Sequence, residues 1–303
     1  MAGDNEKNTG RAKRQGKTVV TLISKIQERQ RSRKACLLMV YGPEVGKRYI
    51  IDRASLVIGR SSTCDIQLGI ESVSRNHAKV LVRDKQVLIR DLGSTNGTYV
   101  NDRAIDEYRL RHGDRIQVGR IIFKFLVSGN LENSFREEIY RLTVTDGLTG
   151  AYNRRYLLEQ LSKEISRSRR YERDLSVVNF DVDQLHVIND EFGQLGGDAV
   201  LRQLAQSMLP RIRREDLLAR QQGGEFTVLL PETGKRAAMK FAEKIRSIIE
   251  LEMFEFQGLE IPVTVSLGVV TLGPDDSDAE DLLRRAAEKM FEAKEAGRNT
   301  VRG

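Results

Sequence analysis

The hydrophobic period changes once along the chain, near residue 130, and that change is incompatible with a single core. From Leu37 to Val127 the apolar residues fall in short β-branched and aliphatic runs, such as Ser55 to Ile58, Ala78 to Val82, Val87 to Arg90 and Ile121 to Leu126. Turn residues separate the runs and no helical period is present, a pattern that predicts an all-β sandwich whose loops carry the function. Beyond residue 145, strand-like runs at 175–180, 226–230 and 263–270 alternate with helical intervals at 154–171, 192–210, 234–251 and 278–295. That alternation predicts an α/β domain with a covered sheet. Between the two, Leu131, Phe135, Ile139 and Leu142 recur at helical spacing and predict an amphipathic connecting helix. Its stripe can pack on a neighbouring domain or pair with the same helix of a second chain. The expected division is an N-terminal arm at 1–35, a sandwich at 36–128, a helical linker at 129–145 and an α/β domain at 146–303.

The net charge of +7 on 303 residues has one source. Residues 1–35 hold ten Lys or Arg against Asp4, Glu6 and Glu28, so the rest of the chain is neutral overall. Nucleic-acid binding therefore has only this arm's charge behind it, and a solvated tail explains the charge as well. Within the arm, Thr18-Val-Val-Thr21-Leu-Ile-Ser24 is an apolar island with three hydroxyls, the form of a recognition site. No apolar run reaches the roughly 20 residues that cross a bilayer, and the N-terminus lacks a signal-peptide core, so the cytoplasm is the expected location. Cys36 and Cys64 are too few for a disulfide framework and have no metal-ligand spacing.

Three loops of the β half hold residues that exceed the needs of a turn: Gly59-Arg60-Ser61, Ser74-Arg75-Asn76-His77 and Ser94-Thr95-Asn96-Gly97-Thr98. A phosphate dianion requires a charged fork plus hydroxyl and amide donors on rigid strand ends, which Arg60, Ser74, Arg75, Thr95 and Asn96 supply. Singly, the arginines could be surface charges and Asn96-Gly97 a tight turn. Jointly, the ordered motifs resemble the forkhead-associated (FHA) family over about residues 37–127. The resemblance implies phosphothreonine-peptide binding, with Arg60, Ser74 and Arg75 on the phosphate, Thr95 beside the threonine, Asn96 on the ligand backbone and His77 bracing the loop. Thr18 and Thr21, phosphorylated by a Ser/Thr kinase, are then candidate ligands from the protein's own arm, because tethering raises effective concentration.

In the second half, Asp146-Gly-Leu-Thr-Gly is followed by Asp181-Val-Asp183, Asn189-Asp190, Gly193-x-x-Gly196-Gly197-Asp198, Arg213-Arg-Glu-Asp216, Gln222-Gly-Gly-Glu-Phe226 and Lys294-Glu-Ala-Gly-Arg298-Asn299. These resemble the GGDEF family of diguanylate cyclases over 146–303. The resemblance implies a nucleotidyl-cyclase-like, ferredoxin-like core that joins two GTP into cyclic-di-GMP as a dimer, with Mg2+ or Mn2+ between carboxylates and triphosphate. It places metal on Asp181 and the Val182 carbonyl, with Asp181 and Glu225 as catalytic carboxylates. It gives Asn189 and Asp198 to the guanine edge, Leu185, Leu201 and Gly223 to the nucleotide's surroundings, Lys294 and Arg298 to the triphosphate, and Arg213 and Asp216 to an inhibitory cyclic-di-GMP site.

The departures cluster at the nucleotide. Leu185-His186 stands where the family has Phe-Lys. Aligned from both flanks, Gln222 replaces the first glycine and Gly224 the metal-binding Asp or Glu. Gln222 is expected to crowd a close backbone approach that favours positive φ, and Gly224 to leave Asp181 the main metal carboxylate. A one-residue slip would make Gly223-Gly224 the glycine pair and Glu225 the ligand, but it reverses the following strand unless a bulge absorbs it, so the unslipped loop is the expected geometry. Two functions remain open: a phosphothreonine-regulated diguanylate cyclase, and a degenerate domain that senses GTP or cyclic-di-GMP without turnover.

Overall fold

The computed structural model describes residues 34–84, 86–128 and 131–303, so the basic arm with Thr18 and Thr21 lies outside the described residues. The chain divides into two compact units, each taken here by itself.

The first is a β-sandwich. One sheet runs in the order β2 (Arg48–Ile51), β1 (Lys34–Tyr41), β11 (Ile121–Ser128), β10 (Arg115–Val118), β7 (Thr98–Val100), β8 (Arg103–Ile105). The other runs β4 (Ile66–Gln67), β3 (Ser55–Gly59), β5 (Ala78–Arg83), β6 (Gln86–Asp91), β9 (Glu107–Arg109). The period-2 alternation sends Leu37, Ile58, Val80, Ile89, Ile116, Phe123 and Phe125 inward, all at most 1% exposed. Ala78 and Val80 face that core from β5, and the register sets Val80 against Leu56 on one side and Ile89 on the other. The functional loops leave the ends of these strands.

Helix α1 (Leu131–Val144) follows, close to the expected span. The Arg48 guanidinium lies 4.9 Å from the Phe135 ring centroid, a cation–π contact that covers part of the predicted apolar stripe.

The second unit has one six-stranded sheet in the order β12 (Tyr152–Asn153), β14 (Leu217–Gln222), β15 (Glu225–Pro231), β13 (Leu175–Val182), β18 (Val265–Thr271), β19 (Val301–Arg302). Leu157, Leu161 and Ile165 of α2 (Arg154–Tyr171) and Leu282, Leu283 and Ala286 of α5 (Ala279–Glu295) pack with Val177, Leu229 and Val270 on one face. Strand alternation leaves Val178, Phe180, Phe226 and Val228 to the opposite face, where the Phe180 and Phe226 rings stack at 5.5 Å. Helix α4 (Lys235–Leu251) buries Ala238, Ala242, Ile245 and Ile249. Local chemistry sets the helix starts: the Asn153 side chain accepts from Tyr156 N at 2.9 Å and that of Asp278 from Asp281 N at 3.0 Å.

One expectation needs correction, and two further elements have no local signal in the sequence. Helix α3 (Leu185–Met208) begins seven residues before the expected 192, because residues 185–192 form a helix of their own that Gly193, at φ 69° and ψ 169°, breaks before the second begins. Strand β14 was not anticipated, since only Leu217, Leu218 and Ala219 of its six residues are apolar. A small hairpin, β16 (Phe254–Phe256) and β17 (Leu259–Ile261), was also not anticipated. Among the described residues no helix is long and apolar enough to cross a membrane.

Candidate functional site

In the sandwich, the three motif loops converge through hydrogen bonds that leave the arginines outward. Arg60 N donates to Ser74 O at 2.9 Å and Ser61 N to Arg75 O at 3.1 Å, joining the first two loops. A Cβ on Gly59 would lie 2.2 Å from Arg75 O, so only glycine permits this approach. Thr95 N donates to Ser74 Oγ at 3.0 Å, and Asn96 Nδ2 to Ser72 O at 2.8 Å, joining the third. Asp91, at the end of β6, accepts from Ser94 N, Ser94 Oγ and Thr98 Oγ1 at 2.9, 2.6 and 2.7 Å. Burial raises the Asp91 pKa, but these hydrogen bonds outweigh it and hold the carboxylate below its ordinary value. Arg60, Arg75 and Thr95 are exposed, and Ser74 and Asn96 half-buried, on one rim. That arrangement presents two cations and several short donors to an anion.

His77, fully buried, joins all of this. Its Nδ1 accepts from Ser74 N at 3.1 Å while Nε2 faces Gly97 O at 3.0 Å, which requires the Nε2–H tautomer. Burial pushes its pKa below 6.5, against the opposing pull of the Gly97 carbonyl and Asp91. The unfolded chain therefore takes up a proton that the folded ring refuses. The stability His77 contributes is complete above about pH 6.5 and falls as pH drops through the lower folded value. Thermal denaturation of the sandwich should show this decline, and ring NMR should report a titration midpoint for His77 below that of an exposed histidine. A second expectation concerns Gly59: Gly59→Ala should destabilise the sandwich by about 1–3 kcal/mol by overpacking, read as a lower denaturation midpoint.

In the α/β unit, the antiparallel register sets Asp181 directly against Glu225, and Asp181 against Ser266 on its other side. Paired residues point to the same face. Lys294, near the C-terminus of α5 on that face, makes an ion pair with Asp181 Oδ2. Asp183 turns inward: it is buried and accepts from Thr264 Oγ1 at 2.8 Å, Ser266 Oγ at 2.7 Å and Asn299 N at 3.0 Å. It thereby fixes the segment after α5 against the end of β13, leaving Asp181 the half-buried carboxylate at the site. Arg298, at φ 66°, is exposed on that segment.

The signature hairpin closes on the Gln222–Glu225 pair with Gly223-Gly224 as its two-residue turn, and a bulge lies between Arg220 and Gln222. The unslipped loop without a bulge was expected; the extra residue in β14 instead lets two glycines turn while Phe226 stays buried opposite Phe180. Positive φ falls on Gly223, at 50°, and not on Gln222, which ends β14 and is exposed. Arg220 clamps the turn, donating to Gly223 O from Nε at 3.0 Å and Nη2 at 2.7 Å and pairing with Asp146 at 3.1 Å. A Cβ at Gly224 would lie 2.6 Å from Asp181 Oδ1, so position 224 abuts the carboxylate yet contributes no ligand.

Gly197 lacks a Cβ where one would sit 2.0 Å from Asn189 Oδ1 and 3.5 Å from Leu185 Cδ1. The break at Gly193 thus folds the second half of α3 onto Asn189, bringing Asn189, Leu185 and the buried Asp198 and Leu201 to one helical corner. Arg213 and Asp216 close a turn before β14, with Arg213 N donating to Asp216 Oδ2 at 3.0 Å. Burial raises the Asp216 pKa against that bond, and its Oδ1 is buried with no hydrogen-bond partner among the described residues.

Among the described residues no cluster of three or more His, Cys, Asp or Glu side chains could hold a metal by itself. Two carboxylates with a neighbouring carbonyl suit a hard cation that completes its shell with water and phosphate oxygens, so Asp181, Glu225 and the Val182 carbonyl fit magnesium or manganese bound together with a nucleotide. Asn179 and Gln221, which hydrogen-bond to Glu225, and Thr227, which bonds to both of them, are not singled out by any of the motifs. The available signal was a polar Asn inside the apolar run Val177-Val-Asn-Phe180.

A β-sandwich with three converging motif loops, joined to a six-stranded α/β domain with a carboxylate at a strand end, is the domain pairing of a signalling protein. The family model described as "Diguanylate cyclase, GGDEF domain" matches residues 143–300, and that described as "FHA domain" matches 56–119. The chain belongs to the GGDEF diguanylate cyclase family and carries an FHA domain. It is similar to the response regulator PleD of Caulobacter vibrioides, 36% identical over 67% of this chain and 45% of that protein. It is likewise similar to the diguanylate cyclase DgcP of Pseudomonas aeruginosa, 36% identical over 56% of this chain and 25% of the other. The chain thus spans less than half the length of these relatives. Among solved structures, the P. aeruginosa diguanylate cyclase SiaD in complex with its activator SiaC aligns with a TM-score of 0.52 at 30% identity, covering 57% of this chain and 66% of that one. The coiled coil and GGDEF domain of Caulobacter crescentus DgcB in complex with c-di-GMP aligns at 0.53 and 24% identity, covering 56% and 91%, and shares the fold.

Proposed function

We propose that this chain is a phosphothreonine-regulated diguanylate cyclase that joins two GTP into cyclic-di-GMP, working as a dimer in which each copy holds one GTP. The observation that carries the reading is the in-register pair Asp181 and Glu225 at adjoining strand ends, with Lys294 on the first. A divalent cation, when bound, draws charge from the reacting phosphate. The chain's own residues do the rest. Asp181 and Glu225 hold the cation's hard oxygen sites, Asn189 and Asp198 orient guanine by its edge, and Leu185 and Leu201 exclude water from the base. Lys294 neutralises Asp181 in the absence of cation, and Lys294 and Arg298 offset triphosphate charge when nucleotide is present. Arg213 and Asp216 bind cyclic-di-GMP as product inhibitor. Arg60, Ser74, Arg75, Thr95 and Asn96 take the phosphothreonine, with phosphorylated Thr18 or Thr21 of the arm as a ligand written by a Ser/Thr kinase.

Gly224 favours a second reading, a GTP or cyclic-di-GMP sensor without turnover, because the place beside Asp181 where the family carries a carboxylate is empty of side chain. Incubation of kinase-treated and untreated protein with GTP and magnesium or manganese, followed by chromatography for cyclic-di-GMP, separates the two. Product in either state supports the cyclase. Nucleotide binding with no product in both states replaces it with the sensor.

A further inference from the structure

Asn179 and Thr227 sit in the middle of the α/β sheet, each 0% exposed, between the apolar residues Val177, Val178 and Phe180 on one strand and Phe226 and Val228 on the other. Sheet formation does not need them, since an apolar pair would fill the space without the cost of desolvating an amide and a hydroxyl. Their bonds run toward the site. Thr227 Oγ1 donates to Asn179 Oδ1 at 2.9 Å and accepts from Gln221 Nε2 at the same distance. Asn179 Nδ2 then donates to Glu225 Oε1 at 2.8 Å, and Gln221 Nε2 lies 3.1 Å from the same oxygen. Gln221 is the residue that the β14 bulge inserts, and re-aiming a side chain is what a bulge does beside a site. Two amide donors on one carboxylate oxygen fix its direction. The glycine at 224 and the amides at Glu225 lie on either side of one peptide bond.

We propose that Asn179, Gln221 and Thr227 are positioning residues that hold Glu225 beside Asp181 as the second oxygen ligand for a divalent cation, in place of the carboxylate that position 224 lacks. The inference rests on the reading of this site as one for a metal-bound nucleotide. It makes the bulge and the buried amide parts of one compensation, in which the loop gives up a ligand at 224 and the neighbouring strands orient another one residue later.

The test measures Mn2+ affinity by electron paramagnetic resonance in the full chain with a non-hydrolysable GTP analogue, for wild type, Gln221→Met, Asn179→Leu and the isosteric Thr227→Val. Gln221 is half-buried at the hairpin, so its variant tests the role even where Asn179→Leu fails to fold. Gln221→Met is expected to weaken Mn2+ binding about tenfold or more, as loss of a partner behind a metal ligand does. Metal-free binding of a fluorescent GTP analogue in EDTA should stay unchanged, which separates loss of the metal ligand's orientation from general damage to the site. A folded Gln221→Met chain with wild-type Mn2+ affinity overturns the positioning role alone. A wild-type chain that binds the analogue neither with nor without Mn2+ overturns the underlying reading of the site, and this proposal with it.

Discussion

Asp181→Asn is expected to lower cyclic-di-GMP formation by about a thousandfold or more, some 4 kcal/mol of transition-state stabilisation, while leaving the fold intact. Asp181, near the end of β13, lies between Glu225 and Ser266 across the strands, and its carboxylate pairs with the Lys294 ammonium instead of bracing the backbone. Its neighbour Asp183 accepts three hydrogen bonds and braces the backbone, so Asp183→Asn should instead lower thermal stability together with activity. The two variants therefore part company in one pair of measurements, product by chromatography and denaturation midpoint. An Asp181→Asn enzyme that retains wild-type turnover removes Asp181 from the proposed chemistry. Guanine affinity should survive the change, because Asn189, Asp198 and Leu201 lie on α3 and take their positions from the Gly193 break.

The second large effect belongs to the sandwich. Arg60→Ala should weaken binding of a phosphothreonine peptide by about a hundredfold, close to 3 kcal/mol, as expected for a charged fork lost from a phosphate dianion. Arg60 is exposed, and its backbone N–H, not its side chain, holds the loop to Ser74, so the variant should fold normally. Calorimetry with a phosphorylated peptide spanning Thr18 or Thr21, and with its unphosphorylated twin, checks both the loss and the phosphate dependence. Equal affinity of wild type and Arg60→Ala for the phosphopeptide removes Arg60 from the phosphate site.

Legibility in the sequence tracked the range of the interactions concerned. Period-2 runs located β3, β5, β6 and β11 to within two residues because alternation is a local consequence of one buried face. Helices α2, α4 and α5 were equally legible from helical periodicity. Strand β14 was not, because half of its residues are polar and its place between β12 and β15 is set by pairing. The early start of α3 was hidden in the same way: Gly193 marks a break, but nothing local says that residues 185–192 form a helix before it.

The hairpin shows the boundary most sharply. By itself the sequence determined that position 224 carries no carboxylate, that position 222 carries a side chain, and that Glu225 is the remaining acid in the loop. Only the tertiary structure decided what these changes do. Pairing of β14 with β15 forced a bulge that turned two glycines without reversing Phe226, and pairing of β13 with β15 set Asp181 opposite Glu225. The physical reason is that a residue's identity states which atoms it can offer, whereas the direction in which they point depends on register across strands more than forty residues apart.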